Sequence, residues 1–160
     1  MFHSRLICFM CALMLLLAVL PANAETPLQD AMNAEIERSG EFYTWSFEKK
    51  ADFYNTYVYH GVGTRRGVPC DHVLQKDVIL EAAQTYLLTT VGVSESELAA
   101  YLIDVDYWID VLPDEDVEHE YYSVLYMTQT ASQQYRNKYQ LMISPYSGEV
   151  LEFIDLDDHR

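Results

Sequence analysis

Cysteine is nearly absent where it could help the fold: of three in the 160-residue chain, Cys8 and Cys11 lie in an N-terminal apolar run, leaving only Cys70. One thiol makes no internal disulfide, so a packed core has to hold the fold. Such a cysteine is expected to be buried and inert, with pairing between chains as the alternative. Basic residues are also scarce, 10 against 25 acidic ones, for a net charge of −15. A surface of that sign repels phosphates and anionic lipid, which removes nucleic acid and anionic membranes as partners. There is one long apolar run, Leu6 to Leu20, preceded by Met1-Phe-His-Ser-Arg5 and followed by Pro21-Ala22-Asn23-Ala24. It falls short of the roughly 20 residues that span a bilayer. The pattern is that of a signal peptide, residues 1–24, cut before Glu25, with a retained anchor as the alternative. Removal takes Arg5 and no acidic residue, so the mature charge becomes −16, one unit below −15. The expected location is secreted or in the cell envelope.

Chemical motifs are missing too. No Asn-x-Ser/Thr glycosylation site, Gly-x-Ser-x-Gly elbow, phosphate-cradling loop or dinucleotide fingerprint occurs. His119-Glu120 lacks the second histidine of a zinc-peptidase helix, because position 123 is Ser123. Cys70 and His72, with His60 upstream, lack the second ligand pair of a zinc site. The acidic residues at 114–120 do not follow the spacing of a calcium loop and are expected to form a solvated turn. Weak divalent-cation binding by that turn is the alternative function. Asp104 and Asp106 are two apart on one strand face, where a carboxylate pair is conceivable, but alternation with apolar neighbours accounts for them. The expectation is no enzyme, no cofactor, and no catalytic or metal residue.

What is abundant is amphipathic aromatic surface: 13 tyrosines and two tryptophans. Leu28, Met32 and Ile36 recur at helical spacing within 25–43. A second helix fits Ser46 to Tyr59, with Ser46 as N-cap, Phe47, Ala51, Tyr54 and Val58 inward, and Glu48, Lys49, Lys50, Asp52 and Asn55 outward. Residues 60–72, broken by Gly61, Gly63, Gly67 and Pro69, read as an exposed connection that holds Arg65-Arg66. From Gln75, the stripe Val78, Ile79, Ala82, Ala83, Tyr86, Leu87 marks a core helix ended by Gly92. Ser94 and Glu97 form a capping box. Past Ala100 the period drops to two: Ile103, Val105, Tyr107, Ile109 and Val111 alternate with Asp104, Asp106, Trp108 and Asp110. Further strands fit 121–128, 138–144 and 149–155, the last two joined at Pro145-Tyr-Ser-Gly148. Short links make consecutive strands antiparallel.

The helix with Ala82-Ala83, the Val91–Leu98 break, the aspartate-alternating strand and the closing Tyr139-Gln-Leu-Met-Ile-Ser-Pro-Tyr-Ser-Gly-Glu-Val-Leu151 hairpin resemble a PepSY-like domain. Trp45-Ser-Phe-Glu-Lys-Lys-Ala51 is similar to the tryptophan helix that precedes such domains in secreted proteins of gut Gram-positive bacteria. The helices and strands read above make an α+β fold, one long helix on a four-stranded antiparallel meander, preceded by N-terminal helices, and the PepSY resemblance agrees with it. The chain thus reads as a signal peptide (1–24), a helical segment and linker (25–74), a domain (75–155) that the PepSY resemblance covers, with a weaker extension back to 45, and an acidic tail (156–160). The resemblance implies no catalytic residues, and a role in binding a protein or peptide, including restraint of a protease. The expected surface is an exposed sheet edge or the aromatic face, with Tyr107, Trp108, Tyr121, Tyr122 and Tyr126 nominated and about half of them core by alternation.

Overall fold

The computed structural model describes residues 27–58, 64–111, 118–131 and 134–157. The signal-peptide segment, His60, the heart of the acidic turn at 112–117 and residues 158–160 lie outside the described residues. The chain divides into two compact units, residues 1–37 and 38–160. Helix α1 (Pro27–Ser39) carries the expected 3.6-residue periodicity, and the Gln29 side-chain amide donates to Asn33 Oδ1 at 3.0 Å one turn on. Everything below concerns the second unit.

There a 3-10 turn (Phe42–Thr44) leads into helix α2 (Phe47–Tyr57), and the Ser46 side chain accepts from the Lys49 N–H as the expected N-cap. Helix α3 (Lys76–Tyr86) continues into a π turn (Leu87–Val91) that stops at Gly92, whose φ of 83° is a left-handed conformation natural to glycine. Helix α4 (Glu95–Leu98) opens on a complete capping box between Ser94 and Glu97.

Five strands follow the order β1-β2-β3-β4-β5, every neighbouring pair antiparallel: β1 (Arg65–Arg66), β2 (Leu102–Val111), β3 (Glu118–Gln129), β4 (Tyr135–Ile143) and β5 (Val150–Asp155). The α+β class and the antiparallel meander are as expected. The four-stranded count is corrected to five, because Arg65 and Arg66 leave the connection to pair with Ile109 and Trp108. Two residues are too few to show a period, which is why composition alone assigned them to a loop.

Alternation along β2, β3 and β4 sorts the sheet into two faces. One carries Val105, Tyr107, Tyr122, Val124, Tyr126, Tyr139, Leu141 and Ile143, and buries them against Ile79, Ala83 and Leu87 of the α3 segment. The other carries Asp104, Asp106, Trp108, Tyr121 and Ser123. Helix α2 and the 3-10 turn pack on this side, against β1 and β2. Elements on either side of position 74 therefore share one compact unit.

Candidate functional site

Two places in this unit have the makings of a site. The first begins with Lys50, which helical periodicity placed outward. Outward on α2 is toward the sheet at this position: Lys50 is 1 % exposed. Its Nζ contacts Asp104 Oδ1, lies 3.2 Å from Asp106 Oδ1, and donates to the Val105 carbonyl at 2.9 Å. Asp104 and Asp106 are themselves buried, at 7 % and 8 % exposed. The half-wet strand face expected for them is thus corrected to a closed one. Arg66 completes the group, its Nη2 lying 2.9 Å from Asp106 Oδ2. The guanidinium stands over three rings, Phe42, Tyr54 and Trp108, with centroids 4.6, 5.6 and 4.8 Å away. Two cations face two anions, so the cluster is neutral as a whole. Burial lifts the Asp106 carboxyl above its ordinary value; Arg66 pulls against that lift, Asp104 adds to it and Lys50 opposes it.

This cluster also covers part of one rim of the sheet. Gly67 N–H donates to the Tyr107 carbonyl at 2.9 Å, after which the chain departs. The next carbonyl on that edge of β2 belongs to Val105, two residues along, and Lys50 supplies its donor. A two-residue strand and one ammonium together occupy the Ile109–Val105 stretch of an edge that would otherwise be open to pairing.

The second place is the opposite rim. Strand β5 ends the sheet, and Leu156 N–H donates inward to the Lys138 carbonyl. By strand alternation the main-chain groups of Phe153 and Asp155 therefore point outward, away from β4. Alongside runs an open groove between α3 and the β4–β5 turn, lined by Val78, Glu81, Ala82, Tyr86, Gly148 and Val150. The apolar stripe had placed Val78 in the core; it is 42 % exposed, on the groove wall. Leu151, on the β5 strand of this rim, is 57 % exposed. Glu149 and Glu152 are exposed there too.

The five nominated aromatics do not form one surface. Tyr107, Tyr122 and Tyr126 are core residues at 2 %, 0 % and 0 % exposed, with the Tyr107 and Tyr122 rings 4.9 Å apart. Trp108 and Tyr121 are half-buried partners across β2 and β3 on the aspartate face. Burial pushes the Tyr122 and Tyr126 hydroxyls up to about 12. Unfolded tyrosines ionise at the ordinary 10.0, so the stability these two contribute is whole below that value and lost as pH rises through about 12. Tyrosinate absorbance should therefore show a late-ionising class that joins the early class once the chain is unfolded in urea. A single transition near the ordinary value in the folded chain would contradict the packing.

Cys70, expected to be buried, is exposed and free. It follows Pro69 in the stretch leaving β1, where no element lies over it to exclude water. Among the described residues no three His, Cys, Asp or Glu side chains gather to hold a metal ion, and no helix is long and apolar enough to cross a membrane. No family model, curated protein or solved structure matches the chain.

Proposed function

We propose that this chain is a non-enzymatic binding module of the secreted or cell-envelope compartment, PepSY-like in kind, that captures an extended cationic peptide as a sixth strand on β5. The observation that carries the reading is the asymmetry of the two rims. The β2 edge is partly covered by β1 and Lys50, while β5 faces outward beside an open groove with an apolar wall of Val78, Ala82 and Tyr86. Strand addition at such an edge supplies affinity through main-chain hydrogen bonds, and alternate side chains supply specificity. Here one set of side chains would lie in the groove toward α3, against Val78, Ala82 and Tyr86. The other set would meet Glu149 and Glu152. With Glu149 and Glu152 exposed beside the rim and a net charge of −15 over the whole chain, a peptide carrying lysine or arginine at alternate positions is the complementary occupant. The signal-like N-terminus supports the compartment. The PepSY resemblance supports a narrower form of the role, in which the captured segment belongs to a protease that the module restrains.

A synthetic peptide alternating lysine with valine tests this directly. Titrated into the chain, it should bind with an affinity that falls as salt rises, and shift the amide resonances of residues 150–155. N-methylation at every second residue should abolish binding in one register and spare it in the other, since only alternate N–H groups of an added strand face β5. Equal tolerance of both registers, or shifts confined to the β2 side, would refute strand addition.

A further inference from the structure

We propose that Lys50 and Asp104 condense into an intramolecular amide that joins α2 to β2 covalently. The reacting groups already meet: Lys50 Nζ contacts the Asp104 carboxyl, and its donation to the Val105 carbonyl at 2.9 Å fixes how the nitrogen is turned. Contact alone does not make an amide in water, where hydration of the two ions and the abundance of solvent both oppose condensation. Neither obstacle operates strongly here. Lys50 is 1 % exposed and the carboxylates 7 % and 8 %, with the Phe42 ring 5.1 Å from Nζ. Ions held out of water have already lost much of their hydration, so less of it opposes condensation here.

The step balances without a co-reactant. The Nζ lone pair attacks Asp104 Cγ to form the C–N bond. The bond from Cγ to one carboxyl oxygen breaks, and that oxygen departs as water with two of the hydrogens that the ammonium carried. Nothing is oxidised or reduced. Some group must carry a proton from nitrogen to the departing oxygen, and Asp106 is placed for it. Its Oδ1 lies 3.2 Å from Nζ yet makes no directed hydrogen bond, although it is buried. Burial also holds that carboxyl above its ordinary value, which suits a group that takes up and releases a proton in one turnover. Charge bookkeeping favours the product as well. The amide removes one buried cation and one buried anion together, and leaves Asp106 matched with Arg66 at 2.9 Å. The two linked residues are 54 apart in sequence, so the bond would close a large loop in a unit whose one cysteine among the described residues is free.

Intact-mass spectrometry of the purified full chain, denatured and reduced, decides the matter. The expected mass is one water below that of the sequence at its observed N-terminus. A tryptic digest should then contain one branched species, joining the segment that starts at Lys50 to the segment containing Asp104. Lys50→Arg keeps the cation but cannot form this amide, and should restore the full mass. Asp104→Ala should do the same, and both readouts hold whether or not a variant folds. Asp106→Asn should lower the cross-linked fraction in freshly made protein. A wild-type chain at full sequence mass overturns the proposal, as does a lost water that fragmentation places elsewhere.

Discussion

Measured against wild-type chain in which Lys50 and Asp104 remain an ion pair, replacing Lys50 with methionine should destabilise the fold by about 3–5 kcal/mol, the cost of removing one partner and leaving the other unmatched. Methionine keeps most of the aliphatic stem, so the loss reports charge and hydrogen bonding rather than an empty volume. What remains is Asp104 and Asp106 facing each other with Arg66 as their one cation, and a Val105 carbonyl without its donor. Urea denaturation at neutral pH measures the cost. Two companion results identify its origin. Adding Asp104→Leu to Lys50→Met should recover most of the loss, because Arg66 and Asp106 are again one cation to one anion. The single variant should also regain stability as pH falls, since protonating a carboxylate removes the unmatched charge. A Lys50→Met chain as stable as wild type at neutral pH would mean that this cluster is hydrated and the helix loosely held.

Trp45→Ala should cost about 3–5 kcal/mol as well, the range for truncating a large buried aromatic side chain. Trp45 is 5 % exposed, and its indole N–H donates to the Gly40 carbonyl at 2.7 Å. Its ring packs against Phe42 and Phe53 at centroid distances of 5.0 and 5.6 Å. It thus ties the 3-10 turn, whose Phe42 covers Arg66, to the helix that delivers Lys50. The loss should therefore spread beyond the cavity. With α2 loosened, the β2 edge is uncovered, and light scattering should show association that grows with protein concentration. Trp45→Phe should lose less and remain dispersed. An alanine variant that loses stability without associating would mean that β1 alone protects that edge.

The helices and long strands were legible because each advertises itself locally. The stripe from Val78 to Leu87 and the Ser94–Glu97 capping box lie within a few turns of chain. So do the Asp104–Asp110 alternation and the Pro145–Gly148 turn. The closed cluster was not legible, for reasons its residues share. Periodicity tells which side of α2 holds Lys50, but not that this side faces a sheet, because the partner carboxylates are 54 residues or more away. Alternation correctly put Asp104, Asp106 and Trp108 on one face, then misjudged whether water reaches it. Arg65-Arg66 was noticed as a pair, yet two residues make no pattern, and only the register with Ile109 and Trp108 makes them a strand. The open rim was half legible: β5 was expected as the last strand, but Val78 was assigned to the core.

A sheet with one partly covered rim and one open rim is, in the vocabulary of polymer chemistry, close to monofunctional. Two copies joined through β5 would present only their partly covered β2 ends and offer little edge to a third, so growth by edge pairing favours the pair. A bound peptide consumes the same valence. Fibrous stacking by this route is therefore disfavoured, because the second rim offers only a short, partly covered edge.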